Sequence, residues 1–300
     1  MKPRLVTLAL AFACCAAGAE ERYLLAADTK VIGIDRAGKV TGREETRITN
    51  APVVDRSPAK PGQIGFEVYF QGRDVFQRNC VVCHGERGDG KGEMAQELPI
   101  KPRSFREGWF KFRSTPYDKL PTDDDLRRTI RHGLSGTAMG AFKTLPAEEL
   151  DAVIAYVKTF SRRWRKQENY AEAIAFPPEP AWFDRNEERR THAARGRDVF
   201  TATCAACHGA KGDGAGPAAL GLKDSWGHAV KPADLLAPFL RCGGAPGDIF
   251  RILSTGLSGT PMVSFAQALT EEQRWDVAAY VLSLREVQPP TGATEASPAK

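Results

Sequence analysis

"GRDVFQRNCVVCHGERGDG", residues 72–90, returns at 196–214 as "GRDVFTATCAACHGAKGDG". The offset is 124 residues, from 72 to 196. "TIRHGLSGTAMGAF" at 129–142 likewise returns at 252–265 as "ILSTGLSGTPMVSF", and "AYV" at 155–157 returns at 279–281. Self-similarity at a nearly fixed period marks a repeated structural unit. Each copy runs to about a hundred residues, enough for one compact domain.

The repeats carry helix signals and no clear strand pattern. Each opens with "GRDVF", whose apolar residues share a helical face. Thr122 with Asp125 has capping-box spacing, acids follow in the first turn, and Gly133 or Gly256 supplies a stop. Each repeat closes on an amphipathic helix. In the first copy Leu150, Val153, Ile154, Val157 and Phe160 form the apolar stripe. In the second, Val277, Ala278, Val281 and Leu284 do so, behind a Thr270–Gln273 cap. The expected fold is therefore all-α. Large apolar residues are few for the length, and a small helical domain with a thin core needs another organiser.

"CVVCH" at 80–84 and "CAACH" at 204–208 offer one. Two cysteines three apart can bond the two vinyl groups of one porphyrin, and the adjacent histidine then meets the iron. This is the attachment pattern of a c-type haem. A disulfide within each pair would leave the histidines and methionines unexplained, and zinc would need four ligands per site. The cofactor set is thus two covalent haem c groups, held by Cys80, Cys83 and His84 and by Cys204, Cys207 and His208. Haem iron takes a second axial ligand. Met139 follows His84 by 55 residues and Met262 follows His208 by 54, each in a glycine-rich loop whose backbone can approach a porphyrin closely. The four axial ligands to iron are expected to be His84, Met139, His208 and Met262.

Over residues 66–287 the chain resembles tandem small soluble cytochrome c domains, and as a whole it resembles the periplasmic two-haem cytochromes c of bacterial respiratory chains. That likeness implies one-electron transfer with no catalytic residues, either as a soluble carrier or as the cytochrome subunit of a respiratory oxidoreductase. It also implies redox partner proteins, with a larger respiratory complex among them. "KPRSF" and "WGHAVKPADL" resemble versions serving larger oxidoreductases. The alternative is a two-haem enzyme, a peroxidase or thiosulfate-oxidising protein, which would need an open distal position. The family carries a proline after the haem histidine that helps orient the imidazole. Pro217 matches that place, whereas the first repeat has Glu93.

The remaining sequence sets the boundaries. Lys2 and Arg4 precede an apolar stretch, Leu5 to Ala17, that is short for a bilayer span, and Ala17-Gly18-Ala19 is a small-residue cleavage site. Residues 1–19 read as a secretory signal cleaved near Ala19. A lipid anchor on Cys14 or Cys15 and an uncleaved anchor are its rivals. Removing Lys2 and Arg4 takes the formal charge from +5 to +3, too little to suggest nucleic acid. No transmembrane segment is expected in the mature chain. Residues 20–65 form an N-terminal extension, in which "KVIGIDRAGKVTG" alternates around a "DRAG" turn and predicts a β-hairpin. The first cytochrome domain occupies 66–164, a proline-containing basic linker 165–193, the second domain 194–287, and a disordered tail 288–300. Cys242 is left unpaired, as an inert thiol, a haem ligand or a reactive thiol. His132 is a peripheral residue or an alternative ligand to Met139. His192 and His228 read as solvated, and Met94 as filler.

Overall fold

A computed structural model describes residues 64–286 and two short strands that precede them. The signal, the "DRAG" hairpin and the tail expected from the sequence lie outside the described residues. Strands β1 (Arg22–Tyr23), β2 (Val54–Asp55) and β3 (Ile64–Gly65) form a small antiparallel sheet in the order β2-β1-β3.

From Phe66 onward the architecture is helical and duplicated. Helices α1 (Phe66–Asn79), α2 (Val81–His84), α3 (Asp123–His132) and α4 (Ala147–Lys158) make the first copy. Helices α5 (Asn186–Thr203), α6 (Ala205–His208), α7 (Pro246–Thr255) and α8 (Glu271–Glu286) make the second. The expected caps are formed. Asp125 receives the Thr122 amide at 3.0 Å while its own amide donates to the Thr122 hydroxyl at 3.2 Å. Thr270 and Gln273 exchange the same two bonds ahead of α8. The stop glycines Gly133 and Gly256 both have φ of 65°, a left-handed conformation that glycine adopts without steric cost.

The glycine of each "GRDVF" has a packing role. A β-carbon on Gly72 would overlap the Ala152 carbonyl oxygen of α4, and one on Gly196 would overlap that of Asp276 in α8. First and last helices therefore cross backbone to backbone in both copies, which only glycine permits. The apolar stripes close over these crossings. Val75, Phe76, Leu150, Val153 and Ile154 are fully buried in the first copy, and Phe200, Phe250, Trp275, Val277 and Ala278 in the second. Each such large side chain contributes about 1.5–3 kcal/mol.

Helix α5 starts at Asn186, inside the segment expected to be linker. His192 consequently lies on a helix. Its imidazole is not solvated as the sequence suggested: it stacks on Trp182 at 3.6 Å, and its Nδ1 lies 2.5 Å from an oxygen of buried Asp276. Asp276 also accepts from Arg195 at 3.1 Å. The stretch before α5 is pinned at both ends. The Ile174 amide donates to the Ser114 carbonyl at 2.8 Å, and Phe183 is buried against Trp275.

Candidate functional site

The two Cys-Xaa-Xaa-Cys-His segments fold identically. Helix α1 ends as the Cys80 amide donates to the Phe76 carbonyl at 2.8 Å. The His84 amide then donates to the Cys80 carbonyl at 2.9 Å, closing one tight turn. In the second copy Cys204 donates to Phe200 at 2.8 Å and His208 to Cys204 at 2.9 Å. Each turn gathers two thiols and an imidazole. None of these cysteines is in a disulfide. Burial, followed by the partner cysteine, pushes Cys80 up to about 12 and Cys204 up to about 11, so both carry their protons at neutral pH.

The "GDG" loops fold back to hold the histidines. The Gly90 amide donates to the His84 carbonyl at 2.9 Å and the Gly214 amide to that of His208 at 2.7 Å. The acceptor for each ring then comes from further along: His84 Nδ1 lies 3.0 Å from the Arg103 carbonyl, and His208 Nδ1 lies 3.1 Å from the Ala233 carbonyl. A carbonyl oxygen only accepts, so Nδ1 carries the proton and Nε2 keeps its lone pair. Burial lowers the pKa of both imidazoles, against the opposing pull of these hydrogen bonds. Neutral rings with an oriented, unprotonated Nε2 are what metal ligation requires. Phe105 stacks on the His84 ring at 4.4 Å, further fixing its plane.

These acceptors were missed in the sequence. Neither the segment at Pro217 nor that at Glu93 supplies them. The residues that do, Arg103 and Ala233, each follow a proline, Pro102 and Pro232, in "KPRSF" and "KPADL". The shared Lys-Pro pair was the available signal.

The methionine loops are also copies at the level of single bonds. The Leu134 amide donates to the Met139 carbonyl at 2.9 Å, and the Leu257 amide to that of Met262 at 2.8 Å. The Met139 amide donates to the Thr137 hydroxyl at 3.0 Å, and the Met262 amide to that of Thr260 at 3.2 Å. The Phe142 and Phe265 amides tie each loop back to its preceding helix, through the Ile130 and Leu253 carbonyls. Both methionines are half-buried. Met262 packs against the cluster that contains Cys204, Leu235 and Phe250.

Other singled-out residues fall outside these constellations. His132 and His228 are exposed, as is Met94 on the short 3-10 helix Glu93–Gln96. Cys242 is half-buried, and its thiol makes one long contact, 3.5 Å, to the Gly243 carbonyl.

Residues 193–285 match a cytochrome c family model, and residues 69–157 match the model for cytochrome c oxidase, cbb3-type, subunit III. The chain is 24% identical over 216 residues to the cbb3-type cytochrome c oxidase subunit CcoP of Azospirillum brasilense, covering 71% of this chain and 61% of that protein. It is 25% identical over 247 residues to its namesake in Azospirillum sp. (strain B510), covering 78% of this chain and 68% of that one. Among solved structures, a chain of the Kuenenia stuttgartiensis reducing HAO-like protein complex superposes with a TM-score of 0.66 at 32% identity. That match covers 76% of this chain and 99% of the other.

Proposed function

Because this chain belongs to the cytochrome c family, whose domains bind haem c, we propose that it carries two such haems, one per repeat, and passes single electrons between protein partners outside the cytoplasm. Its place is as the cytochrome subunit of a respiratory oxidoreductase or a carrier serving one. The likeness to subunits of cbb3-type cytochrome c oxidases, and to a chain of a reducing HAO-like protein complex, supports the first setting. The sequence features of an export signal at residues 1–19 support the location.

The observation that carries this reading is the duplication of the whole ligand frame, bond for bond. Cys80, Cys83, His84 and Met139 would hold one haem, and Cys204, Cys207, His208 and Met262 the other. The residues fit the group: no cysteine of either pair is joined in a disulfide, and both imidazoles present Nε2 because a backbone carbonyl occupies Nδ1. When bound, the haem supplies the one-electron iron couple. The chain supplies orientation of the ring through Arg103 or Ala233 and a thioether that favours the reduced state relative to a second imidazole. Two domains at about 66–164 and 194–287 suit passage of an electron from one centre to the other.

The test is spectroelectrochemistry on the holoprotein with Met139→Ala and Met262→Ala. Mass spectrometry should first show two covalently bound haems. Each substitution should lower the potential of one haem and leave the other in place. A variant whose two potentials match the wild type refutes that methionine as a ligand.

A further inference from the structure

The two methionine loops share a sequence and a hydrogen-bond pattern, yet their surroundings differ. Around Met139, the residues Ser135, Gly136, Ala138 and Gly140 are exposed. Around Met262, Ser258 and Gly259, the counterparts of Ser135 and Gly136, are buried, as is Gly256, whose counterpart Gly133 is half-buried, while Pro261 and Val263 are exposed like Ala138 and Gly140. Part of the cover comes from the first repeat, and its centre is Arg113.

Arg113 has no exposed surface. Its Nη2 donates to the Thr255 carbonyl at 2.7 Å, its Nη1 to the Gly256 carbonyl at 3.5 Å, and its Nε to the Pro116 carbonyl at 3.2 Å. Thr255 and Gly256 are the last residue of α7 and its stop, the hinge from which the Met262 loop departs. A guanidinium fits a row of backbone carbonyls because its donors lie in one rigid plane. Burial weakens its hold on the proton, down to about 10, with Tyr117, Asp125 and Asp118 opposing, so it remains charged at neutral pH. The contact continues along the loop. Tyr117, over whose ring the Arg113 guanidinium lies at 5.4 Å, donates to the Thr260 carbonyl at 3.5 Å. Thr260 is the residue whose hydroxyl receives the Met262 amide.

We propose that Arg113 is a positioning residue of the first repeat that clamps the Met262 loop of the second. This rests on Met262 being a haem ligand, and it adds that its hold on the iron depends on this clamp from the neighbouring repeat, whereas the Met139 loop meets the second repeat beside Gly136, where a β-carbon would lie 3.7 Å from the Phe239 ring. Arg241, the arginine that precedes the capped helix of the second copy, is exposed and makes no corresponding clamp on the Met139 loop among the described contacts.

The experiment compares the full holoprotein with Arg113→Gln and Arg113→Lys. Proton NMR of the reduced state resolves the ring-shifted methyl of each iron-bound methionine, assigned with Met139→Ala and Met262→Ala. In the oxidised state, raising the pH displaces the methionine. Losing charge-assisted bonds to two carbonyls should favour displacement of Met262 about tenfold or more in Arg113→Gln, so its midpoint falls by about one pH unit. Arg113→Lys, which keeps the charge and one donor direction, should restore part of it. The Met139 midpoint should stay put. Equal shifts at both methionines, or none at Met262, overturn the proposal. If the wild type shows no Met262 methyl signal, the ligand assignment itself fails. Hydrogen exchange at the Leu257 amide, which is bonded to the Met262 carbonyl, then decides the clamp: faster exchange in Arg113→Gln sustains it, and unchanged exchange sinks it. Should Arg113→Gln not fold, the same comparison is made with Arg113→Lys and Tyr117→Phe.

Discussion

Gly196→Ala should destabilise the second repeat, although alanine is the better helix former. Residue 196 is in the interior of α5, where the intrinsic gain from glycine to alanine is about 1 kcal/mol. Against it stands the crossing. The new β-carbon would overlap the Asp276 carbonyl oxygen and lie 2.9 Å from the Val277 nitrogen. Both are backbone atoms of α8, so no side-chain rotation relieves the clash. The helices must separate, opening the seam lined by Phe200, Val277 and Ala278. Overpacking costs typically about 1–3 kcal/mol, and a backbone-to-backbone clash belongs at the upper end. The net loss should be about 1–2 kcal/mol. Gly247 is the control. It lies near the start of α7, and a β-carbon there would meet nothing within 4 Å. Gly247→Ala should therefore stabilise by about 0.5–1 kcal/mol. Guanidinium unfolding of the holoprotein, followed by far-ultraviolet circular dichroism, reads both changes. A Gly196→Ala protein as stable as the wild type would refute the close crossing. The consequence reaches the site, because α5 ends one residue before Cys204.

Two further predictions concern titrating groups. Burial, with repulsion from Arg103 and Arg241 and an opposing pull from Asp224, lowers the Lys111 ammonium from 10.5 to about 8. Between these values the unfolded chain binds more protons than the folded one, so the penalty for burying this charge is complete below pH 8 and disappears by about 10.5. Lys111→Met should be more stable than the wild type near neutrality, with the advantage shrinking across that window; a gain independent of pH in denaturant titrations would exclude this account. Cys242 is raised to about 11 by burial, with Asp248 adding and Arg251 opposing. Its alkylation by iodoacetamide, followed by peptide mapping, should be slow near neutrality and accelerate up to about pH 11; a rate that has levelled off by pH 9 would contradict it.

Much of this architecture was legible because its signals are local. A capping box is complete within four residues, and Thr122 with Asp125 forms the one its spacing announces. The Cys-Xaa-Xaa-Cys-His turn is equally short, and its duplication turned a common motif into a fold assignment. The stop glycines and apolar stripes fell where periodicity put them, except that Phe160 lies just past the end of α4. The histidine acceptors escaped because a backbone carbonyl has no side-chain signature. Arg103 lies 19 residues from His84 and Ala233 lies 25 from His208, across loops of different length. His192 escaped for a related reason. Seen in a row of charged residues it reads as solvated, and only Asp276, 84 residues away, and the stacked Trp182 show otherwise.

The two arginines mark where sequence reasoning must stop. Arg113 stands in "FKFR" and Arg241 in "PFLR", each ahead of a helix whose first turn holds an aspartate, Asp125 or Asp248, that accepts from the amide at the helix start. Nothing within ten residues of either explains why one is sealed from solvent and the other exposed. The difference belongs to the arrangement of the copies. Duplication supplies two equivalent frames, but the contact between them is not symmetric, since buried Arg113 of the first repeat binds the second's methionine loop while the first's own loop, exposed at Ser135 and Gly136, lies beside the exposed Phe239. A repeated sequence can therefore specify what each centre is made of, while the asymmetric contact specifies how each is held. That division is why a substitution at Arg113, far in sequence from Met262, should be felt there and not at the nearer Met139.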